Sequence, residues 1–434
     1  MSPTSSPRRS RSGPANSRRR LLIATVVLLV LAVLGGGGWY VGSAALAPLP
    51  AAAITTTAPQ IEAPTDDAEV ELPDYGAGAV AALGYDGATG LQDPDAALAP
   101  LVSFGSADAV PIGSIAKVVT ALMIVDAEPL DGGDGEMITF TSEDVGYYEE
   151  TIAAGGSNAP VSAGLELTER EALTLVLVPS ANNYSKSLAI WAYGSYDEFL
   201  ERSRTWLDEH GMPNTVMADS SGLSSETVST PEDLLRLGQL LVADPDLSEI
   251  VALESATIDG VGTVDGTNAL LGRDGIDGIK TGTTTQAGSC LLFSFDQEVD
   301  GQLVTMVGAI IGAPSHGVLN DDLLELIPSF NDEFSTVELT HSGQSVATAR
   351  TVWGQDTELL STEDLTVRAW GPVEVETEVV TPEIQTVEAG ASLGEYVVSV
   401  NGQVDEVPLR SAATIDDPGM GWRLTNPEEI RGGS

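Results

Sequence analysis

The pattern of apolar and polar positions divides the chain into stretches of different character. Residues 21–42, LLIATVVLLVLAVLGGGGWYVG, carry no charge. At 1.5 Å rise per residue such a run crosses a hydrocarbon core of ~30 Å, which predicts a transmembrane helix over 21–43. Residues 44–75 are Ala/Pro/Thr-rich, then acidic, without periodicity, and read as a linker. From Gly76 to residue 333 the period alternates. GAVAALGYDGATG predicts a strand and turn, LVSFGS a second strand, and 287–299 with 301–313 a hairpin. Helices are expected from near Ser114, over 165–178 with a Thr168/Glu171 capping box, from YSKSLAIWA, over 230–242, and over 320–330. Residues 334–420 are short β-rich runs between Gly, Pro and Asn turns, an all-β module. Residues 421–434 read as a polar tail.

Charge sharpens this division. The first twenty residues hold six arginines and no acid. Positive-inside logic makes residues 1–20 a basic cytoplasmic segment and exports the rest. A cleaved signal peptide, with Ala45-Leu46-Ala47 as its site, is the rival reading. The full chain carries 19 basic and 64 acidic residues, a net charge of −45. That excludes a nucleic-acid partner and reads as a solvating surface. One cysteine, Cys290, sits in an apolar run and excludes an internal disulfide framework.

The chemistry begins with a scarcity. The chain has three lysines: Lys117, Lys186 and Lys280. In GSIAKVVTAL, Lys117 follows Ser114 by three residues, one helical turn apart on one face. Burial lowers a lysine pKa, and a neutral amine beside a hydroxyl is a base beside a nucleophile. Arginine cannot serve as that base. Lys280-Thr281-Gly282 precedes Thr283 where a strand is expected, a dock for a carboxylate or oxyanion, with the glycine admitting a substrate backbone. Ser180-Ala181-Asn182 adds a hydroxyl and an amide in a loop between helices. Singly, each motif reads as an ordinary turn, cap or helix surface.

Together, S-x-x-K, S-x-N and K-T-G in this order form the signature of serine penicillin-binding proteins and β-lactamases. PIGSIAKVVTALM, LVPSANNYSKSLA, DSSGLSSETVSTPEDLLRLGQLL and NALLGRDGIDGIKTGTTTQAGSCLLFS extend the likeness. Over residues 76–333 the chain resembles the D-alanyl-D-alanine carboxypeptidases, the low-molecular-mass penicillin-binding proteins of the S11 serine peptidase family. Residues 334–415 resemble that family's C-terminal β domain more weakly. The resemblance implies an α/β (α+β) catalytic domain, an antiparallel sheet flanked by helices, followed by a small all-β domain. It implies Ser114 as the acyl-ester nucleophile, Lys117 as its base, and Ser180 and Asn182 as proton relay and substrate-amide holder. Lys280, Thr281, Gly282 and Thr283 match the substrate-binding strand, with the backbone N–H groups of Ser114 and Thr283 as oxyanion hole. No metal or cofactor is implied. Peptidoglycan stem peptides are the implied partners, β-lactams the implied inhibitors.

Several points depart from the family pattern or stand outside it. Asn183 replaces a usual aspartate, and His316 stands about where relatives often carry an arginine near the substrate carboxylate. The C-terminal NPEEIRGGS is no amphipathic anchor, so the N-terminal helix would serve instead. Lys186 reads as solvated or structural, and His210 and His341 have no evident role. A class A β-lactamase would need an E-x-x-L-N glutamate after Asn182, which is absent from the sequence. A cross-link endopeptidase and a catalytically weak wall-binding scaffold remain as alternatives.

Overall fold

The computed structural model describes residues 15–57, 61–65, 69–83, 98–299, 302–330 and 333–432. The arginines before Ala15 and the turn expected from Gly84 lie outside them.

Five antiparallel strands form the central sheet, in the spatial order Ile276–Thr284, Gly288–Val299, Gln302–Ala313, Ala77–Ala82 and Val102–Phe104. The earliest strand thus joins the latest, with Ala79 opposite Ala309. Everything between Phe104 and Ile276 is inserted as a largely helical lobe. Both sheet faces are covered, which explains why LLFSF at 291–295 is apolar almost throughout, without alternation. On one face Leu235 of the helix Pro231–Ala243 packs with Ala79, Ala81 and Val307. On the other, Leu319, Leu323 and Leu326 of the helix His316–Ser329 meet Phe293, Phe295 and Met306. Each buried leucine contributes about 2 kcal/mol of transfer free energy. The first helix lies close because Gly238 has no side chain, since a Cβ there would come within 2.4 Å of Val307 Cγ1.

The Ser114 segment starts as a 3₁₀ turn, Gly113–Ile115, and continues as the helix Ala116–Ala127. Every residue from Ala116 to Ile124 is buried, so this stretch is apolar all round apart from Lys117 and Thr120. The expected helix over 165–178 is shorter at its start. Glu166–Thr168 pairs as a strand with Met137–Thr139, and Thr168 caps a helix beginning at Glu169, with Glu171 completing the capping box.

Two readings of the chain ends are corrected. Residues 44–75 are not wholly a spacer. Ala53–Thr56 is the edge strand of a six-stranded C-terminal sheet, pairing Ala53 with Arg350 and Thr56 with Ala347. Its four side chains are exposed and only its backbone is engaged, so the sequence carries no alternation to reveal it. The polar tail is also structured. Gly419–Thr425 and Pro427–Gly432 are short helices, and Arg423 donates to the carbonyls of Ala44 (3.3 Å) and Ala47 (2.7 Å). Those carbonyls lie at the C-terminal end of the helix Ala15–Leu46, where unpaired backbone acceptors favour a cation. That helix holds the one stretch among the described residues long and apolar enough to cross a membrane, Arg19–Leu46, and Leu21, Leu28, Leu31 and Val33 on it are exposed.

The rest of the C-terminal region is β-structure, the six-stranded sheet packed with the pair Phe334–Thr340 and Leu365–Trp370 around Val346, Leu359, Val398 and Leu409. Trp370 stacks on Phe330 (4.9 Å between ring centroids) at the junction with the central sheet.

Candidate active site

Three glycines bring three segments together around Ser114. A side chain at Gly282 would meet the Ile112 carbonyl at 2.7 Å and the Ser114 nitrogen at 3.0 Å. One at Gly222 would sit 1.7 Å from the Gly113 carbonyl. Gly113 itself has φ +54° and faces the Thr283 nitrogen. The glycine of K-T-G therefore admits the chain's own backbone at Ile112 and Ser114. The edge strand Ile276–Thr284 is thereby laid against the start of the Ser114 turn.

Lys117 Nζ lies 2.9 Å from Ser114 Oγ and donates to the Ser221 carbonyl at 2.9 Å. The lysine is fully buried, while Ser114 is partly open. Burial, then the nearby charge of Lys280, hold the Lys117 pKa well below the ordinary lysine range, against a smaller opposing pull from Asp219. A neutral amine in this position can accept the serine proton.

Lys280 is buried on the edge strand and donates to the Thr281 carbonyl (3.1 Å) and Thr267 Oγ1 (3.4 Å). Burial pushes its pKa down to about 7. Thr281 Oγ1 donates to the same Thr267 hydroxyl at 2.6 Å. Thr283 is exposed, and its hydroxyl lies 2.6 Å from His316 Nε2. Burial and then Lys280 lower the His316 pKa, so this imidazole is neutral where an arginine would stay charged.

Ser180 is 3% exposed, has φ +63°, and its hydroxyl has no partner among the described residues. A left-handed non-glycine residue costs about 1 kcal/mol or more and is held only where its surroundings over-determine it, often at a site of function. The Asn182 carbonyl oxygen is likewise buried and without a partner among the described residues. Asn182 opens the helix Asn182–Tyr193 and lines a cleft with Ser221. Asn183, two percent exposed, donates to the Ala159 carbonyl and accepts from its amide. An aspartate there could only accept.

Sequence reasoning gave no role to Asp219, which organises the loop under Lys117. It accepts from the amides of Ser221, Gly222, Leu223 and Ser224, and from the hydroxyls of Ser221 and Thr227. Burial raises its pKa, but these hydrogen bonds outweigh burial and the net shift is downward. The loop's carbonyls then face inward. Ser220 O accepts from Thr120 and Ser185, and Ser221 O from Lys117. The readable signal was an aspartate before Ser-Ser-Gly, the composition of a side-chain-capped turn.

The family model for D-alanyl-D-alanine carboxypeptidases matches residues 101–310, the stretch that carries all three motifs. DacF of Bacillus subtilis, a D-alanyl-D-alanine carboxypeptidase, is 24% identical over 304 residues, which cover 67% of this chain and 76% of the relative. A D-alanyl-D-alanine endopeptidase of Escherichia coli is 33% identical over 194 residues, 42% of this chain and 58% of the relative. In fold, the chain is similar to the D-alanyl-D-alanine carboxypeptidase DacD from Francisella tularensis (TM-score 0.54, 18% identity, 80% of this chain and 94% of that one). It is equally similar to penicillin binding protein 5 from Haemophilus influenzae (TM-score 0.54, 18% identity, 84% and 100%). Sequence comparison thus agrees with the expectation raised by the motifs, residues 101–310 matching the D-alanyl-D-alanine carboxypeptidase family, and the solved structures share the fold.

Proposed function

We propose that the chain removes the terminal D-alanine from peptidoglycan stem peptides through an acyl-enzyme on Ser114, and that β-lactams acylate the same serine. The observation that carries this reading is the buried Lys117 amine 2.9 Å from the Ser114 hydroxyl. Ser114 Oγ attacks the carbonyl carbon between the two D-alanines as its proton passes to Lys117 Nζ. The developing oxyanion faces the Ser114 and Thr283 amides. The C–N bond then breaks, and the departing nitrogen takes a proton relayed from Lys117 through Ser180. Free D-alanine leaves, and water hydrolyses the ester. Asn182 holds the substrate amide. Lys280 and Thr281 receive the terminal carboxylate, with Thr283 and His316 at the far end of the strand. The apolar helix Arg19–Leu46 anchors the enzyme in the membrane, its arginine-rich end cytoplasmic and the catalytic domain outside.

A second reading, endopeptidase action on cross-links, is favoured by the 33% identity to an endopeptidase. Incubating the full chain with a stem pentapeptide and, separately, with cross-linked dimers divides the two. Free D-alanine from the pentapeptide is expected. Cleavage of dimers without D-alanine release would replace the first reading by the second.

A further inference from the structure

Thr267 lies outside the three motifs, in the loop that leads from the hairpin Ser255–Ile258 and Gly262–Asp265 into the edge strand Ile276–Thr284. Backbone contacts pin this loop. The Gly266 amide donates to the Glu254 carbonyl at 2.7 Å, and the Thr267 amide to the Val178 carbonyl at 3.2 Å. Leu270, just beyond, is buried in the core. The Thr267 side chain is not needed for that hold, and the residue is exposed. Its hydroxyl instead accepts from Thr281 Oγ1 at 2.6 Å and from Lys280 Nζ at 3.4 Å. The amide of Thr267 is thus tied to the segment that leads into Ser180, and its hydroxyl to Lys280 and Thr281. One residue braces the second motif against the third.

What the hydroxyl can do follows from its chemistry. It carries one donor and two acceptor lone pairs. Accepting from both neighbours uses the lone pairs and leaves its own O–H to donate. In the reading above, Lys280 and Thr281 receive the substrate's terminal carboxylate. Thr281 has a single hydroxyl proton, and in the free enzyme that proton points to Thr267. To donate to a carboxylate, Thr281 must turn it away. We propose that Thr267 is a positioning residue for the carboxylate dock, which steadies the Lys280 ammonium and donates its own O–H to Thr281 Oγ1 as the Thr281 proton swings to the substrate. The inference rests on the carboxypeptidase reading and deepens it at this end of the site. The exchange keeps the Thr281 hydroxyl, which is buried, bonded to Thr267 before and after docking. The bond to Lys280 favours the charged amine, against the burial that pushes its pKa down to about 7. The charge of Lys280 in turn lowers the pKa values of Lys117 and His316, the titratable groups facing it from the two neighbouring helices.

The test uses the full chain and a stem pentapeptide. Thr267→Val removes the hydroxyl and keeps the shape, while Thr267→Ser keeps the hydroxyl. In the valine variant kcat/KM is expected to fall about tenfold, mainly through KM. The alkaline limb of its pH profile moves down by about half a pH unit, because Lys280 loses an acceptor for its charged form. The serine variant retains both the rate and the position of the limb. Prolonged labelling with fluorescent penicillin reports that each variant is folded with its serine intact, and Thr267→Ala removes the same hydroxyl if the valine variant does not label. An unchanged kcat/KM without the hydroxyl, a fall with the limb unmoved, or a serine variant as slow as valine would overturn the proposal. Failure of both the valine and alanine variants to label would make the hydroxyl structural and overturn it as well. Loss of both labelling and D-alanine release in the unaltered chain would instead overturn the reading of the site, and this inference with it.

Discussion

Lys117 Nζ donates to the carbonyl oxygen of Ser221 at 2.9 Å, a contact between residues 104 apart in the chain. That bond uses one N–H of the amine and leaves its lone pair free for Ser114. The strain of the site is electrostatic, because a fully buried lysine must give up charge to stay there.

Replacing the base separates activity from stability. Lys117→Arg abolishes acylation, a loss of at least about 100-fold. Lys117→Met is also inactive but melts higher at pH 7, by roughly 2–4 °C. In the unfolded chain this lysine keeps its proton to about pH 10.4. The folded form releases it earlier, so between the two pKa values the unfolded chain binds the extra proton and stability rises with pH. The stabilisation by methionine therefore shrinks as pH climbs toward 10. Calorimetry across pH checks it, and a constant difference would contradict a neutral Lys117.

Lys280 should limit the enzyme on the alkaline side. With its pKa near 7, the free enzyme loses this cation as pH rises, and kcat/KM for D-alanyl-D-alanine peptides falls above that point. Lys280→Arg keeps the charge, so its profile lacks this limb whatever its absolute rate. A limb that persists in the arginine variant belongs to another group.

Asp219 is expected to hold the loop through its charge. Asp219→Asn keeps the shape but faces the four amides with a weaker acceptor, which costs about 2 kcal/mol in urea unfolding. Acylation by penicillin slows with it, because the Ser221 carbonyl loses its place. The folded carboxyl titrates below its unfolded value, so its contribution is present above about pH 4 and lost as pH falls through the folded pKa. The asparagine variant accordingly lacks the part of the stability change that sets in as pH falls below about 4. Unaltered acylation would make Asp219 structural only.

Ser180 tests the backbone. At φ +63°, Ser180→Gly relieves strain that Ser180→Ala retains, so glycine is the more stable variant by about 1 kcal/mol. Both lose the hydroxyl, and both are expected to slow turnover by about 100-fold. If alanine restored turnover, the relay assigned to Ser180 would be wrong.

The long elements were legible because their patterns repeat. The hairpin at 288–313 and the capping box at Thr168 follow directly from residue order. So did the family, because three polar motifs recur in a fixed order. The edge strand Ala53–Thr56 was hidden because backbone pairing leaves no trace in its exposed side chains. The terminal helix with Arg423 was hidden because its contacts are to carbonyls far away in sequence. Asp219 was quoted within a block yet given no work, since its partners are mostly main-chain amides. The backbone contact that Gly282 permits was hidden for a similar cause, as close packing of two backbones has no signature beyond the glycine itself.

The central claim is that Ser114 is the acylated nucleophile. Intact-mass spectrometry of the full chain after incubation with penicillin tests it most directly. The account predicts one adduct of the whole penicillin mass on the unaltered chain, mapping to the peptide that carries Ser114, and none on Ser114→Ala. An adduct of equal yield on Ser114→Ala, or no adduct on the unaltered chain, would contradict it.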